Sequence, residues 1–310
     1  MSGHTRRFRP SQNEIDRRYG NVRAAMEAAG LDALVVSGSE YTGFEGAVRY
    51  LTGFHILHRY AYVVIPAGGD PVAVFPREAT WVGDHGESFV RNRELPAHCG
   101  EWMADFLKGR AARKVGVYGM EYIMNVRDYR ALAAAGFEIV DFDVQFDHAR
   151  AQKSEEEIAS VRHSMEINKR GVLEVIRAYA PGKTEAELMA VAEHTFASAG
   201  CARSTMDMVQ MGPGGSLRPQ MVFPTTRPVA ASDGMLYGLE IAGEGGHWVE
   251  YSRPLMPNGM DATTADMMAA HQEFHALVRE HMKAGRTAEE VYRLCMKPIV
   301  ERGYRSGHVC

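Results

Sequence analysis

The chain has 310 residues, of which 45% are hydrophobic and 24% charged, which is typical of a folded protein with room for two domains. Its formal net charge of −4 gives no reason to expect nucleic acid or an anionic membrane as a partner. No apolar run approaches the roughly 18 residues of a membrane span, and none follows the basic segment 1–10, so we expect neither a spanning helix nor a signal peptide.

The first half of the chain alternates helical and extended patterns. A helix is predicted from Gln12 to Gly30, and a short buried strand follows over Leu31–Val36. Two further strands flank a turn at 67–70 and should form a hairpin. The later segments are predicted as a helix over 101–113, a strand over 114–118, a helix over 125–135 and a strand over 137–142. This alternation predicts an α/β domain over residues 1–148.

The composition changes near Arg150, where a long amphipathic helix is predicted to open. Ser154 is in its N-cap position and Glu157 follows three residues later, which is the spacing of a capping box. The segment 184–187 is predicted to cap the next helix. Strands are predicted over 206–211 and 235–241, and helices over 263–284 and 287–302. Helices, then antiparallel strands, then helices predict an α+β domain over residues 149–310.

The hairpin predicted over 235–255 is the most informative stretch, because two apolar strands flank a glycine-rich turn. Trp248 and Glu250 are two residues apart on the second strand, so they project from one face. Glu240 lies opposite Glu250 if the loop has about three residues, and on the other face if it has about two. Facing carboxylates in a partly buried sheet require a metal ion, a bound cation or a proton held by a raised pKa, unless solvent covers both.

These residues predict an enzyme that acts on a small-molecule substrate. Glu250 is the candidate nucleophile or base, and Glu240 is the second catalytic carboxylate. Trp248 beside Glu250 offers an aromatic face and a negative charge, which suits a planar cation. His247 is a candidate substrate-binding residue and is available as a proton donor, although it should face away from Glu250. Arg253 is either structural or a clamp for a substrate carboxylate.

The hairpin, the helix opening Lys-Ser-Glu-Glu-Glu-Ile at 153–158 and the link Pro-Gly-Lys-Thr-Glu at 181–185 resemble the creatinase, prolidase and aminopeptidase P family. The resemblance covers essentially the whole chain. It implies an α/β amino-terminal creatinase-like domain followed by an α+β pita-bread domain that is incomplete at its carboxyl end. Glu250 stands at the position of the second metal-binding aspartate of the metal-dependent members, and Glu240 falls near the first.

More narrowly, Glu-Ile-Ala-Gly at 240–243 with His-Trp-Val-Glu-Tyr-Ser-Arg-Pro at 247–254 is similar to the ectoine hydrolase branch of that family. This likeness implies opening of a cyclic amidine, most directly ectoine to N-acetyl-diaminobutyrate, by a carboxylate and without a metal or other cofactor. Two alternatives remain open. One is a metal-dependent Xaa-Pro aminopeptidase or prolidase with Glu240 and Glu250 as ligands, although the loop 211–221 lacks the histidine that many peptidase members carry. The other is a non-catalytic peptide-binding member of the fold.

The resemblance also implies a cytoplasmic homodimer in which one subunit closes its partner's pocket. Phe44 and Trp81 are therefore candidates for lining that pocket, with a packed domain face as the alternative. The segment 304–310 is similar to the approach to a His-Gly-x-Gly-His segment, and His308 matches its first histidine. We therefore expect the family's sequence to continue past Cys310.

The remaining histidines and the cysteines are expected to have structural or surface roles. Cys99, Cys201, Cys295 and Cys310 lie far apart without CxxC spacing, which argues against disulfides and a structural zinc site. We expect these thiols to be small buried side chains in a reducing compartment, and Cys99 beside His98 is not expected to be a nucleophile. His271 and His275 share a helix face, and we interpret them as surface residues.

Overall fold

The computed structural model describes residues 9–40, 43–81, 88–201, 203–204, 208–213 and 223–305. Several predictions fall wholly or partly outside these residues, among them the side chain of Trp81, the strand 206–211, the loop 211–221, the segment around His308 and Cys310. The chain forms two compact units. The first comprises 1–167, 197–205 and 241–249, and the second comprises 168–196, 206–240 and 250–310.

A mixed six-stranded sheet forms the centre of the first unit, with strand order β4-β3-β2-β1-β5-β6. The strands are β1 (Ala33–Ser39), β2 (Tyr60–Pro66), β3 (Val72–Val74), β4 (Asn92–Glu94), β5 (Lys114–Tyr118) and β6 (Glu138–Asp141). β2 is antiparallel to both β1 and β3, as the hairpin prediction required, and the other neighbours are parallel. Alternate residues of β1 enter two separate hydrophobic cores, Leu34 and Val36 in one and Val35 in the other. Both faces are therefore covered, which explains why the central strands are apolar throughout.

Helices cover both faces of this sheet. They are α1 (Gln12–Ala28), α2 (Gly46–Thr52), α3 (Cys99–Lys108), α4 (Val126–Ala134) and α5 (Asp143–Ala149). The unit also contains residues 155–167 of α6 (Glu155–Ala178). The first core takes residues of α1, α2 and α5, and the second takes residues of α3 and α4. A 3-10 helix spans Arg77–Trp81. The short helices α2 and α5 were not predicted from the sequence.

A four-stranded sheet lies in the second half of the chain, with order β10-β9-β7 and β8 also paired to β9. Its strands are β7 (Arg203–Ser204), β8 (Met208–Pro213), β9 (Asp233–Ala242) and β10 (Trp248–Leu255). The helices here are α7 (Glu185–Ser198), α8 (Ala262–His281), α9 (Ala288–Cys295) and α10 (Lys297–Glu301). The predicted order of helices, antiparallel strands and helices is confirmed.

The capping box at the start of α6 was predicted correctly, whereas one long helix near the end of the described chain was not. The Ser154 hydroxyl accepts from the Glu157 amide at 3.1 Å, and the Glu157 carboxylate accepts from the Ser154 amide at 2.9 Å, so the capping box at α6 is confirmed. The single helix predicted over 287–302 is wrong, because α9 and α10 are separate. Pro298 lies in the first turn of α10, where its missing amide costs no helical hydrogen bond.

No helix among the described residues is long and apolar enough to cross a membrane. Cys99, Cys201 and Cys295 are buried, as expected, and Cys310 lies outside the described residues. Burial raises the pKa of the Cys99 thiol to about 12, so it carries little thiolate near neutrality. His271 and His275 share a face of α8, with their Nε2 atoms 3.0 Å apart, as their spacing predicted.

Candidate active site

Two glutamates of the second unit lie close together on neighbouring strands. Glu240 is on β9 and Glu250 is on β10, which is its neighbour in the sheet. Glu240 is half-buried next to Leu239, which is fully buried. The pKa of Glu240 is raised, first because burial removes water from its carboxylate and second because of the negative charge of Glu250. The two carboxylates therefore repel each other across the strands.

The exposure of Glu250 differs from the prediction. The sequence predicted a partly buried pair, but the side chain of Glu250 is exposed, so only Glu240 fits that expectation. Arg253 is also exposed, and its guanidinium carbon lies 4.8 Å from the centre of the Tyr251 ring. Arg253 Nη1 donates to the Ser252 carbonyl at 2.6 Å. These contacts agree with the structural role that was one of its two predicted roles.

A metal centre needs more ligands than this pair supplies. Carboxylate oxygens can bind divalent cations such as manganese, but protein sites usually combine several such groups. Among the residues that the structure describes, no group of three or more His, Cys, Asp or Glu side chains could hold a metal ion. The described residues alone do not therefore fit a metal centre.

A cavity of about 370 Å³ lies in the first unit, and its lining includes three of the predicted substrate-binding residues. Phe44, His247 and Trp248 line it, together with residues of α1 and α2 and of the segment before α6. Four cationic side chains and one carboxylate also line it: Arg18, Arg49, Arg150, Lys153 and Glu157. This charge favours an anionic ligand, whereas the sequence predicted a planar cation beside Trp248.

His247 is held by the opening turns of α6. Its Nδ1 lies 2.9 Å from the Ser160 hydroxyl, and its Nε2 lies 3.5 Å from the buried Glu157 carboxylate. Burial acts to raise the pKa of Glu157, but hydrogen bonds from His247 and the Ser154 amide and the charge of Arg18 outweigh it, so the pKa is lowered. These contacts hold His247, at the tip of the hairpin, against α6, and its role as a proton donor stays a prediction.

Arg49 is a residue that the sequence analysis missed. It is buried on α2, and its Nη2 donates to the carbonyls of Gly243 at 3.1 Å and Glu244 at 2.8 Å. Gly246 has a φ of +80°, and a Cβ there would lie 2.7 Å from Arg49 Nε. The glycine-rich turn therefore allows close contact with an arginine. One sequence signal was available: Arg49 interrupts the otherwise apolar segment 47–51.

Two family models match the sequence. The Creatinase/Prolidase N-terminal domain matches residues 18–152, and Metallopeptidase family M24 matches residues 159–310. The chain belongs to the creatinase/prolidase family. Its creatinase-like amino-terminal domain is followed by a pita-bread domain, as the resemblance implied. No curated protein matched the sequence.

Solved structures of this family are similar over most of the chain. The prolidase from Pyrococcus horikoshii OT3 is 18% identical, with 93% of this chain and 78% of that chain covered and a TM-score of 0.77. The dipeptidase PepE from Mycobacterium ulcerans is 22% identical, with 96% and 79% covered and a TM-score of 0.75. The X-Pro aminopeptidase from Thermotoga maritima MSB8 is 17% identical, with 91% and 78% covered and a TM-score of 0.71. At these identities the likeness establishes the fold.

Proposed function

We propose that this pita-bread protein hydrolyses a C–N bond of a small substrate at Glu240 and Glu250, and that its substrates are Xaa-Pro peptides. The observation that carries the proposal is the raised pKa of Glu240 beside the charge of Glu250. Perturbed carboxylate pairs are common at sites of acid–base chemistry. The Xaa-Pro specificity draws support from the comparisons, which include a prolidase and an X-Pro aminopeptidase.

The two glutamates take different roles because their surroundings differ. Glu250 is exposed and can reach a substrate, so it acts as the base that activates water or as the nucleophile. Glu240 is half-buried with a raised pKa, so it holds a proton over a wider pH range and can donate it or bind a polar group of the substrate. The roles of Trp248, His247, Arg253, Phe44 and Trp81 in substrate binding remain predictions.

A second candidate substrate is a cyclic amidine such as ectoine. It is favoured by glutamates at or near both positions where the metal-dependent relatives carry aspartates, and by the proton that Glu240 tends to retain. A protonated amidine is already electrophilic, so a carboxylate can attack it without polarisation by a metal. Glu250 would then bond to the amidine carbon, and one ring C–N bond would break as Glu240 gives its proton to the departing nitrogen. Water would attack the same carbon and displace the Glu250 carboxylate, which releases the opened amide.

Substrate profiling of the full chain decides between these candidates. Xaa-Pro dipeptides, ectoine and hydroxyectoine are assayed in parallel, with and without added manganese and with and without a chelator. Turnover of Xaa-Pro dipeptides supports the first candidate, and chelator-resistant turnover of ectoine supports the second. Absence of all turnover, together with tight peptide binding, contradicts both and favours the non-catalytic alternative.

We also propose a homodimer in the cytoplasm. The three described cysteines are buried, and their wide spacing in the sequence without a CxxC pair is typical of a protein from a reducing compartment. Light scattering after size-exclusion chromatography gives the mass in solution, and a monomer at micromolar concentration would contradict the dimer.

A further inference from the structure

Apart from Phe44, His247 and Trp248, the residues that line the cavity in the first unit have no role in the proposed hydrolysis. Neither Glu240 nor Glu250 lines it. Its volume of about 370 Å³ falls in the range of about 300–1,000 Å³ that is typical of small-molecule sites. It therefore has room for a ligand the size of a dipeptide.

Two of the four cations are occupied by contacts within the protein. Arg18 Nε lies 2.7 Å from the buried Glu14 carboxylate, and its Nη1 donates to the Tyr50 carbonyl at 3.0 Å. Arg49 lies 3.4 Å from the buried Glu45 carboxylate and binds the hairpin carbonyls described above. These two arginines have structural roles.

The other two cations keep donors available. Arg150 uses Nε and Nη2 for Asp147 and the Tyr118 hydroxyl, and its Nη1 makes no hydrogen bond within the described part of the chain. That Nη1 group lies 3.8 Å from where a Cβ on Gly46 would be, and Gly46 also lines the cavity. Lys153 Nζ donates to two carbonyls, so one of its three ammonium hydrogens remains.

Tyr50 supplies an independent indication of a ligand. It lines the cavity and is only 9% exposed, yet its hydroxyl has no hydrogen-bond partner among the described residues. Its pKa is raised to about 12, chiefly by burial and next by the charge of Glu157, so the hydroxyl keeps its proton and remains a donor. A buried donor without a partner is unfavourable unless something bound supplies an acceptor.

Aromatic rings complete the lining. Phe44 and Tyr122 meet edge to face with centroids 5.7 Å apart, and Tyr122 is 50% exposed. Trp248 lines the same cavity and is half-buried. A ligand that carries a flat apolar part can therefore pack here while its charged group meets the donors.

We propose that this cavity binds a small organic anion. Its carboxylate or phosphoryl group is held by Arg150, Lys153 and the Tyr50 hydroxyl, and its flat part packs against Phe44 and Tyr122. This site goes beyond the proposed hydrolysis, because it needs no contribution from the carboxylate pair.

Calorimetric titration of the full chain tests the proposal with probes that share a phenyl ring and differ in their charged group. Benzoate and phenyl phosphate are the anionic probes, and benzamidine is the cationic counterpart of benzoate. We expect the preferred anion to bind at least about tenfold more tightly than benzamidine, because it alone gains charge-assisted hydrogen bonds. The better of the two anions distinguishes a carboxylate ligand from a phosphoryl ligand. Equal binding of benzamidine, or no binding of either anion, overturns the proposal.

Three variants locate the binding in the cavity. Lys153→Gln should weaken anion binding about tenfold, whereas Lys108→Gln, an exposed lysine on α3 that does not line the cavity, should leave it unchanged. Tyr50→Phe should also weaken binding without lowering the melting temperature, because it removes only the hydroxyl that has no partner. If Lys153→Gln and Tyr50→Phe both bind the anion like the unchanged chain, the cavity is not the site.

Discussion

The charges around the cavity and the charges on the hairpin are arranged in opposite ways. In the first unit, cations are matched with buried carboxylates, such as Arg18 with Glu14 at 2.7 Å and Arg49 with Glu45 at 3.4 Å. In the second unit, burial and then the negative charge of Glu250 raise the pKa of Glu240. Matched charges hold a structure together, whereas adjacent like charges cost stability and are retained where they serve chemistry. Removing one charge from an ion pair of the first unit should therefore destabilise the protein. Removing one charge from the glutamate pair of the second unit should relieve repulsion.

The largest loss of stability should follow Arg49→Ala. The change leaves the buried Glu45 carboxylate without this partner and removes two hydrogen bonds to the hairpin carbonyls. Breaking a buried ion pair typically costs about 3–5 kcal/mol. Urea unfolding measures the loss, and Arg110→Ala, at an exposed arginine of the same unit, is the matched control. A loss for Arg49→Ala no greater than for the control would contradict the structural role of Arg49.

A smaller loss is expected for Gly246→Ala. The added methyl group would lie 2.7 Å from Arg49 Nε, and the φ of +80° disfavours any residue with a Cβ. We expect a loss of about 1–3 kcal/mol. Gly20→Ala is the control, because Gly20 lies inside α1 with open space around its Cα, and alanine there should stabilise by about 0.5–1 kcal/mol. Equal effects of the two changes on urea unfolding would be evidence against the close contact at the hairpin tip.

The opposite sign is expected for Glu240→Gln, and it should depend on pH. The folded-state pKa of Glu240 is raised above 4.5, so its contribution to stability is present below that value and is lost as the pH rises through the raised pKa. Glutamine cannot ionise, so the variant should melt up to about 2 °C higher at pH 8 and show no such gain at pH 4. Thermal unfolding at the two pH values measures this difference. A melting temperature that falls at pH 8 would show that burial and the charge of Glu250 do not disfavour the ionised carboxylate of Glu240.

Features that depend on local spacing could be predicted from the sequence. The capping box at Ser154 needs only residues three apart, and the hairpin at 67–70 needs only a turn between two apolar runs. The break before α10 could also have been predicted, because a proline such as Pro298 is unfavourable in the interior of a helix. These elements follow from neighbouring residues alone.

Features that depend on distant contacts could not be predicted. Arg49 meets the Gly243 carbonyl 194 residues away in the sequence, and no local pattern connects them. The exposure of Glu250 depends on which segments cover its strand, and alternation along the strand cannot supply that information. The cationic lining around Trp248 comes from α1, α2 and the segment before α6, so two hairpin residues alone could not predict the charge of that cavity.

The most direct test of the account is the steady-state kinetics of Glu250→Gln on whichever Xaa-Pro dipeptide or cyclic amidine the full chain hydrolyses. The side chain is exposed, so the variant should fold with an unchanged melting temperature. Removing the base or nucleophile should lower kcat/KM by about 1,000-fold or more, whereas Lys153→Gln should retain normal hydrolysis. A Glu250→Gln variant with full activity would contradict the assignment of the reaction to this carboxylate pair.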